Sequence, residues 1–196
     1  MEMRNRPSSP TYVSVALCTV LFFGLFTVRD AWPAEARLTD IVVTNTRDDL
    51  LVYFSVTECF TDEMEKAINN GVRTIFTFFV KLNEVRDWWW DKDIADLKVS
   101  NEIKYDGLKK VYTLRLSSPE ERVVDVKNFE EAKRLMSEIV GLKVTELRNL
   151  QRGNRYQISM MAELEKIRLP FYFHYVFFFL SLWDFETDWY TVDFRY

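Results

Sequence analysis

Three consecutive tryptophans, Trp88, Trp89 and Trp90, stand between Asp87 and Asp91. They cannot all face one core, because neighbouring side chains of an extended chain point to opposite sides. We therefore expect at least one exposed indole, and exposed aromatic groups mark binding sites. The cluster predicts an aromatic surface for a partner protein, a peptide or a sugar ring. In the structural alternative, Trp88 and Trp90 pack inward while Trp89 covers a sheet edge or a hairpin tip.

Carboxylates alternate at Asp184, Glu186 and Asp188. On a strand they would share one face, with neighbours about 7 Å apart. Oxygen ligands grouped in this way suit a weak Ca²⁺ site, and paired carboxylates suit acid–base catalysis. The simpler interpretation, which we favour, is a solvated strand face beside a buried Phe185 and Trp189.

The sequence offers little else for catalysis. His174 is the only histidine, and its aromatic neighbours are typical of a packing residue rather than a member of a triad. Ser181 lies in an apolar run, and no spacing supports a dyad of Cys59 with His174. The chain contains no P-loop, dinucleotide-binding, C-x-x-C or H-E-x-x-H motif. We therefore expect no enzymatic activity, no cofactor and no metal.

The first 36 residues have the three parts of a secretory signal peptide. Arg4 and Arg6 form a positive start, residues 12–28 are almost uncharged, and Ala34 and Ala36 form an A-x-A cleavage site. This order predicts cleavage after residue 36 and one mature domain, residues 37–196, in the periplasm or cell envelope.

The alternative to cleavage is an N-terminal membrane anchor. The apolar run of 17 residues is near the lower limit for crossing about 30 Å of hydrocarbon. A lipoprotein is disfavoured, because Leu17 precedes Cys18 where a small residue would be expected.

Charge and cysteine content limit the possible partners. The net charge of −4 gives no basic footprint for nucleic acid. Cys59 is the only cysteine of the predicted mature domain, so no internal disulfide can form. We expect a buried, inert thiol; the alternative is pairing between two chains.

Alternation of apolar and polar residues dominates the chain and predicts about eight strands. The predicted strands are residues 38–44, 50–57, 72–86, 95–105, 108–116, 144–150, 156–167 and 189–196. Residues 72–86 exceed an average strand in length and predict a bulge or a bend. Hairpin turns are expected at residues 45–49, at Asp106-Gly107 as a type I′ turn, and at residues 152–154.

Two short helices are predicted between the strands. The first starts at Asp62, with Glu65 in the capping-box position, and stops at Gly71. The second starts at Asn128 and ends at Gly141. Its predicted apolar stripe consists of Phe129, Ala132, Leu135, Met136, Ile139 and Val140.

These elements favour a mainly β, β-rich α+β domain, an antiparallel sandwich with two inserted helices, over a parallel βαβ fold. One apolar stretch, from Phe171 to Trp183, is ambiguous. It is too short for a comfortable membrane-spanning helix. Three interpretations remain open: a core segment, a segment that touches a membrane interface, or a partner-binding surface.

The order of landmarks over residues 38–196 resembles an exported bacterial family catalogued as domain-of-unknown-function family 4390. The matching residues are Ala67, Asn70-Gly71-Val72, Phe76, Arg86, Trp88-Trp89-Trp90-Asp91, Tyr105-Asp106, Lys110, Tyr112, Ala132, Gly153, Tyr156, Leu169-Pro170 and Asp188-Trp189. One departure is residues 173–180, which are more apolar than the family pattern. The resemblance implies export and a β-rich fold, and it supplies no catalytic residues.

Three functional hypotheses follow. The first is an exported, non-catalytic domain that binds an envelope protein through the aromatic cluster. The second is a domain that binds or cleaves carbohydrate with the tryptophans and nearby carboxylates. The third is a membrane-anchored accessory domain of a sensor system. Membrane contact would come through residues 171–183 or an uncleaved N-terminus.

Overall fold

The computed structural model describes residues 36–88, 90–165 and 186–196. Its strands are β1 (Arg37–Asn45), β2 (Asp49–Thr57), β3 (Thr74–Val85), β4 (Lys92–Asp106), β5 (Val111–Leu116), β6 (Arg122–Val126), β7 (Glu138–Glu146), β8 (Arg155–Leu164) and β9 (Tyr190–Arg195). Its helices are α1 (Asp62–Asn69), α2 (Phe129–Ser137) and a 3-10 helix (Leu147–Asn149). The predicted signal segment up to residue 35 and the stretch from Phe171 to Trp183 lie outside the described residues.

The strands form two antiparallel sheets. One has the order β1-β2-β7, and the other has the order β6-β5-β4-β3-β8-β9. The predicted mainly β, antiparallel, sandwich-like class is therefore confirmed.

The core follows from alternation in the central strands. In β3, the side chains of Phe76, Phe78, Val80 and Leu82 are all fully buried. Phe54 of β2 meets Phe78 edge-on across the two sheets, with ring centroids 5.8 Å apart. Each such side chain stabilises the fold by about 1.5–3 kcal/mol relative to its exposed state. The contact between β2 and β3 therefore joins the two sheets.

The first elements of the domain, β1, β2 and α1, match their predictions closely. β1 and β2 form the expected hairpin, and α1 buries Met64, Ala67 and Ile68. The helix cap is one residue earlier than predicted, because the Thr61 hydroxyl accepts the hydrogen bond from the Met64 backbone N–H. Asp62 instead belongs to the first turn.

The second helix is shorter than predicted. It starts after the Asn128 cap but ends at Ser137, and Ile139, Val140 and Gly141 belong to β7. Ile139 pairs with Phe54 and is 1% exposed, so burial in the sheet outweighs the helical periodicity. Gly141 has φ +62°, a left-handed backbone conformation within the strand that favours glycine.

The predicted hairpin around residues 152–154 is wrong. β7 pairs with β2, whereas β8 pairs with β3 and β9. The chain therefore crosses from one sheet to the other over residues 147–154. Gly153 still has φ +89°, so the turn requires glycine although it does not connect paired strands.

The turn between β4 and β5 also differs from its prediction. Residues 107–110 form a four-residue connection, and Lys110 rather than Gly107 has a positive φ. The Asp106 carboxylate accepts hydrogen bonds from the backbone N–H groups of Leu108 and Lys109, at 2.9 and 3.0 Å. These bonds, led by that from Lys109, lower the pKa of Asp106. A turn stabilised by hydrogen bonds to the Asp106 side chain therefore replaces the predicted type I′ turn.

β6 was not predicted and raises the strand number from about eight to nine. It is a five-residue edge strand in which charged residues alternate poorly with valines, so its sequence pattern is weak. Pairing with β5 supplies the missing stabilisation. The bulge or bend predicted in the long third strand lies in its partner instead: β3 pairs with β8 without a register shift, whereas the β3–β4 register skips Ile94 of β4 between Leu82 and Asn83.

A buried amide links the large sheet to α2. Asn101 of β4 is 1% exposed, and its side-chain N–H group donates to the Met136 carbonyl at 3.1 Å. Its side-chain oxygen accepts from the Ser117 backbone N–H at 3.2 Å. Asn101 therefore satisfies backbone groups at the end of α2 and after β5.

We expect Asn101→Ala to lower the free energy of unfolding by about 2–4 kcal/mol, because it removes the partner of the buried Met136 carbonyl and of the half-buried Ser117 N–H. Urea unfolding measures the change. Asn45→Ala is the matched control, since the exposed Asn45 amide bonds only to the adjacent Thr46 carbonyl. Equal stability of the two variants would contradict the role assigned to Asn101.

Candidate functional site

The tip of the β3–β4 hairpin, residues 86–91, carries the aromatic cluster. Trp88 is 91% exposed and Trp90 is 92% exposed. The expectation of at least one exposed indole is confirmed, and the alternative in which both residues pack inward is wrong. Trp89 lies outside the described residues.

Two carboxylates fix the conformation of this tip: Asp91 bonds to its backbone, and Asp87 anchors one of its sides. The Asp91 side chain accepts a hydrogen bond from the Arg86 backbone N–H at 3.1 Å, which closes the loop. Asp87 forms an ion pair with Arg155 at the start of β8. Arg155 reaches the tip because its backbone lies opposite Val85 in the β3–β8 register.

A second pair of contacts supports the base of the tip. The Asn154 amide donates to the Glu84 carboxylate at 3.0 Å, and the Arg86 guanidinium lies 3.5 Å from the same oxygen. The Glu84 side chain is only 10% exposed. Residues 154 and 155 follow the crossing between the sheets, so that segment braces the aromatic hairpin.

These contacts of Glu84, Asn154 and Arg155, which we call the brace, fix the position of the tip more than they stabilise the fold. The Asp87 and Arg155 side chains are 72% and 49% exposed, and exposed pairs contribute only about 0.2–1 kcal/mol. Its effect is to limit the conformations of the loop before any ligand binds, which lowers the entropic cost of binding. The roles of Glu84, Asn154 and Arg155 could not be predicted from the sequence, because no local pattern marks residues that meet across the sheet.

The tip can offer large apolar area and two N–H donors. A tryptophan side chain buries about 150–250 Å² when it is fully covered. Tryptophan is enriched among the residues that dominate binding energy at protein interfaces. The arrangement therefore suits recognition of a complementary surface.

The predicted acidic face is only partly described. Asp184 lies outside the described residues, whereas Glu186 and Asp188 are exposed. Between them, the buried Thr187 hydroxyl accepts the Ala162 backbone N–H at 3.0 Å, which joins this segment to β8. Over residues 36–88, 90–165 and 186–196, no three His, Cys, Asp or Glu side chains are grouped to hold a metal ion.

Trp189 was expected to be buried and is 44% exposed. The Lys81 ammonium lies over its ring, 5.2 Å from the centroid. The indole is therefore held against the sheet by a cation–π contact rather than enclosed in the core.

Cys59 is the only candidate nucleophile that the structure describes, since His174 and Ser181 lie outside the described residues. The thiol is buried and donates a hydrogen bond to the Val56 carbonyl at 3.4 Å. Burial raises the pKa of Cys59 from its usual 9.0 to about 12. The expected inert thiol is thereby supported, because the reactive form is the thiolate.

The fold and this hairpin define a class: a small, all-antiparallel β-sandwich with a braced aromatic tip. The family model for a domain of unknown function (DUF4390) matches residues 33–193, and the chain belongs to this family. The resemblance inferred from the sequence is thus confirmed. No curated protein and no solved structure matches the chain significantly. Within the described part of the chain, no helix is long and apolar enough to cross a membrane.

We expect native Cys59 to react with Ellman's reagent at pH 8 at least about a hundredfold more slowly than the unfolded chain. The raised pKa means that the fold favours the neutral thiol. This contribution to stability is complete below pH 9 and is lost as the pH rises toward 12. A Cys18→Ser background removes the other thiol, and comparable native and unfolded rates would contradict the prediction.

We expect Arg155→Ala to increase hydrogen exchange in residues 86–91 several-fold, because the Asp87 side of the tip loses its support. The free energy of unfolding should fall by less than about 1 kcal/mol. Hydrogen-exchange mass spectrometry measures the loop, and Arg122→Ala in the edge strand β6 is the matched control. Unchanged exchange in the tip would show that Arg155 does not brace it.

Proposed function

We propose that this chain is an exported, non-catalytic domain that binds another protein of the cell envelope through the aromatic tip. The carrying observation is the exposure of Trp88 and Trp90, above 90% for both, on a hairpin that is already braced. A single exposed apolar residue needs no explanation, but two indoles on one supported loop favour a binding site. Binding would remove both indoles from water.

A protein partner is favoured over a carbohydrate by the state of the neighbouring carboxylates. Sugar recognition needs polar groups beside the aromatic platform that can bond to hydroxyls. Asp87 is already engaged by Arg155, and Asp91 by the Arg86 backbone N–H. The tip therefore offers mainly apolar surface, which suits an apolar pocket on a protein.

The envelope location rests on the sequence of residues 1–36. Its positive start, apolar run and A-x-A site support export. An uncleaved segment would make the same domain a membrane-anchored accessory, for instance of a sensor. The mass of the native protein separates these cases, because cleavage removes 36 residues and an anchor retains them.

We expect the double variant Trp88→Ala/Trp90→Ala to lose a crosslinked envelope partner that the wild type captures in cells. Both side chains are exposed, so stability should change by less than about 0.5 kcal/mol. Leu108→Ala is the matched control, since Leu108 is 98% exposed in the β4–β5 connection. The readout is the crosslinking profile of the natively expressed, tagged protein.

Identical profiles for the wild type and the folded double variant would contradict the proposed binding surface. Quenching of tryptophan fluorescence by cell-wall polysaccharide fragments, lost in the double variant, would instead support the carbohydrate hypothesis.

A further inference from the structure

A polar cleft lies at the same end of the domain as the aromatic tip. Its volume is about 670 Å³. The turn between β1 and β2, the end of β7 and the crossing between the sheets all contribute to it. Its charged lining residues are Arg47, Asp48, Asp49, Lys143, Glu146, Arg148 and Arg152.

Two of the three carboxylates in this cleft are already neutralised. Lys143 lies 2.8 Å from Asp49 and 3.5 Å from Glu146, and Glu146 also pairs with Arg148. The hydrogen bond that the Lys143 ammonium donates to Asp49 is the main cause of the raised pKa of Lys143. These four side chains therefore form a closed ion-pair network within the wall.

Arg47 and Arg152 are exposed and have no ion-pair partner among the described residues, and Asp48 is the remaining carboxylate of the lining. Tyr196 also lines the cleft, and its backbone oxygen accepts the Gly153 backbone N–H at 2.5 Å. The cleft thus has two free guanidinium groups. Such groups bind carboxylates through two parallel hydrogen bonds.

We propose that this cleft binds an acidic segment of the partner protein, with Arg47 and Arg152 as the groups that hold its carboxylates. The inference rests on the proposed function of the aromatic tip and specifies the chemistry of its partner. Arg152 precedes by three residues the Arg155 that pairs with Asp87 at the tip. Three residues span at most about 11 Å, so the cleft lies close to the Asp87 side of the tip.

The charge complementarity between the cleft and an acidic segment is local, because the chain as a whole has a net charge of −4. An acidic partner would be repelled by the molecule in general and attracted at this cleft. Such charge placement selects the binding orientation and the partner more than it adds affinity.

Fluorescence anisotropy with fluorescein-labelled hexaglutamate tests the inference on the chain purified from producing cells. We expect Arg47→Ala/Arg152→Ala to weaken binding about tenfold or more, since it removes both charge-assisted contacts. Arg122→Ala is the matched control, because Arg122 is an exposed arginine in β6 without an ion pair among the described residues. The control should bind like the wild type, and labelled hexalysine should not bind.

Three results would overturn the inference. They are equal binding by the wild type and the cleft variant, displacement of hexaglutamate by inorganic phosphate at equal concentration, and tighter binding to phosphatidylglycerol vesicles that the cleft variant abolishes. The second would indicate a site for small free anions, and the third a lipid surface. If the cleft variant retains the crosslinked partner that the tryptophan variant loses, the aromatic tip stands and the acidic-segment inference fails.

Discussion

Burial of one face of β3 against the small sheet is the interaction on which this molecule depends. β3 lies between β4 and β8, and its inner face from Phe76 to Leu82 is excluded from solvent. Phe78 meets Phe54 of the other sheet, so the same strand supplies the core and joins the layers. Because β3 is bonded on both sides and packed on its inner face, its end at Val85 is a stable base for the hairpin that follows.

The crossing between the sheets connects this core to the surface. Residues 147–154 leave β7 in the small sheet and enter β8 in the large one. On the way they line the polar cleft through Arg148 and Arg152, and they brace the aromatic hairpin through Asn154. This one segment therefore connects the core, the polar cleft and the aromatic hairpin, which are built from residues that lie far apart in the sequence.

The residue pattern predicts the structure correctly where burial and periodicity agree. Alternation predicts the β1–β2 hairpin, β3 and β8, and three adjacent tryptophans predict exposure at the tip. It fails where one pattern fits two structures: Ile139 and Val140 extend the helical stripe of α2, yet both belong to β7, where Ile139 pairs with Phe54 of β2. The turn at Gly153 resembles a hairpin but changes sheets instead. The weakly patterned β6 is stabilised only by its neighbour β5.

The candidate site divides in the same way. Exposure of Trp88 and Trp90 follows from adjacency alone, whereas the brace and the cleft need tertiary structure. Glu84 and Asn154 bond although 70 residues separate them. Arg47 and Arg152 have no local signal, because what distinguishes them is the absence of a carboxylate partner among the described residues. A single sequence cannot show which charges are already neutralised.

The order of the strands has a kinetic consequence. The pairing of Asp49 with Glu146 and of Phe76 with Leu164 joins segments from opposite halves of the chain. Neither central pairing can form until most of the polypeptide has been made, and such non-local contacts slow folding. For a chain that we propose to be exported, this delay is useful. It lengthens the time in which the nascent chain stays unfolded, so that the chain can cross the membrane before it folds into the sandwich.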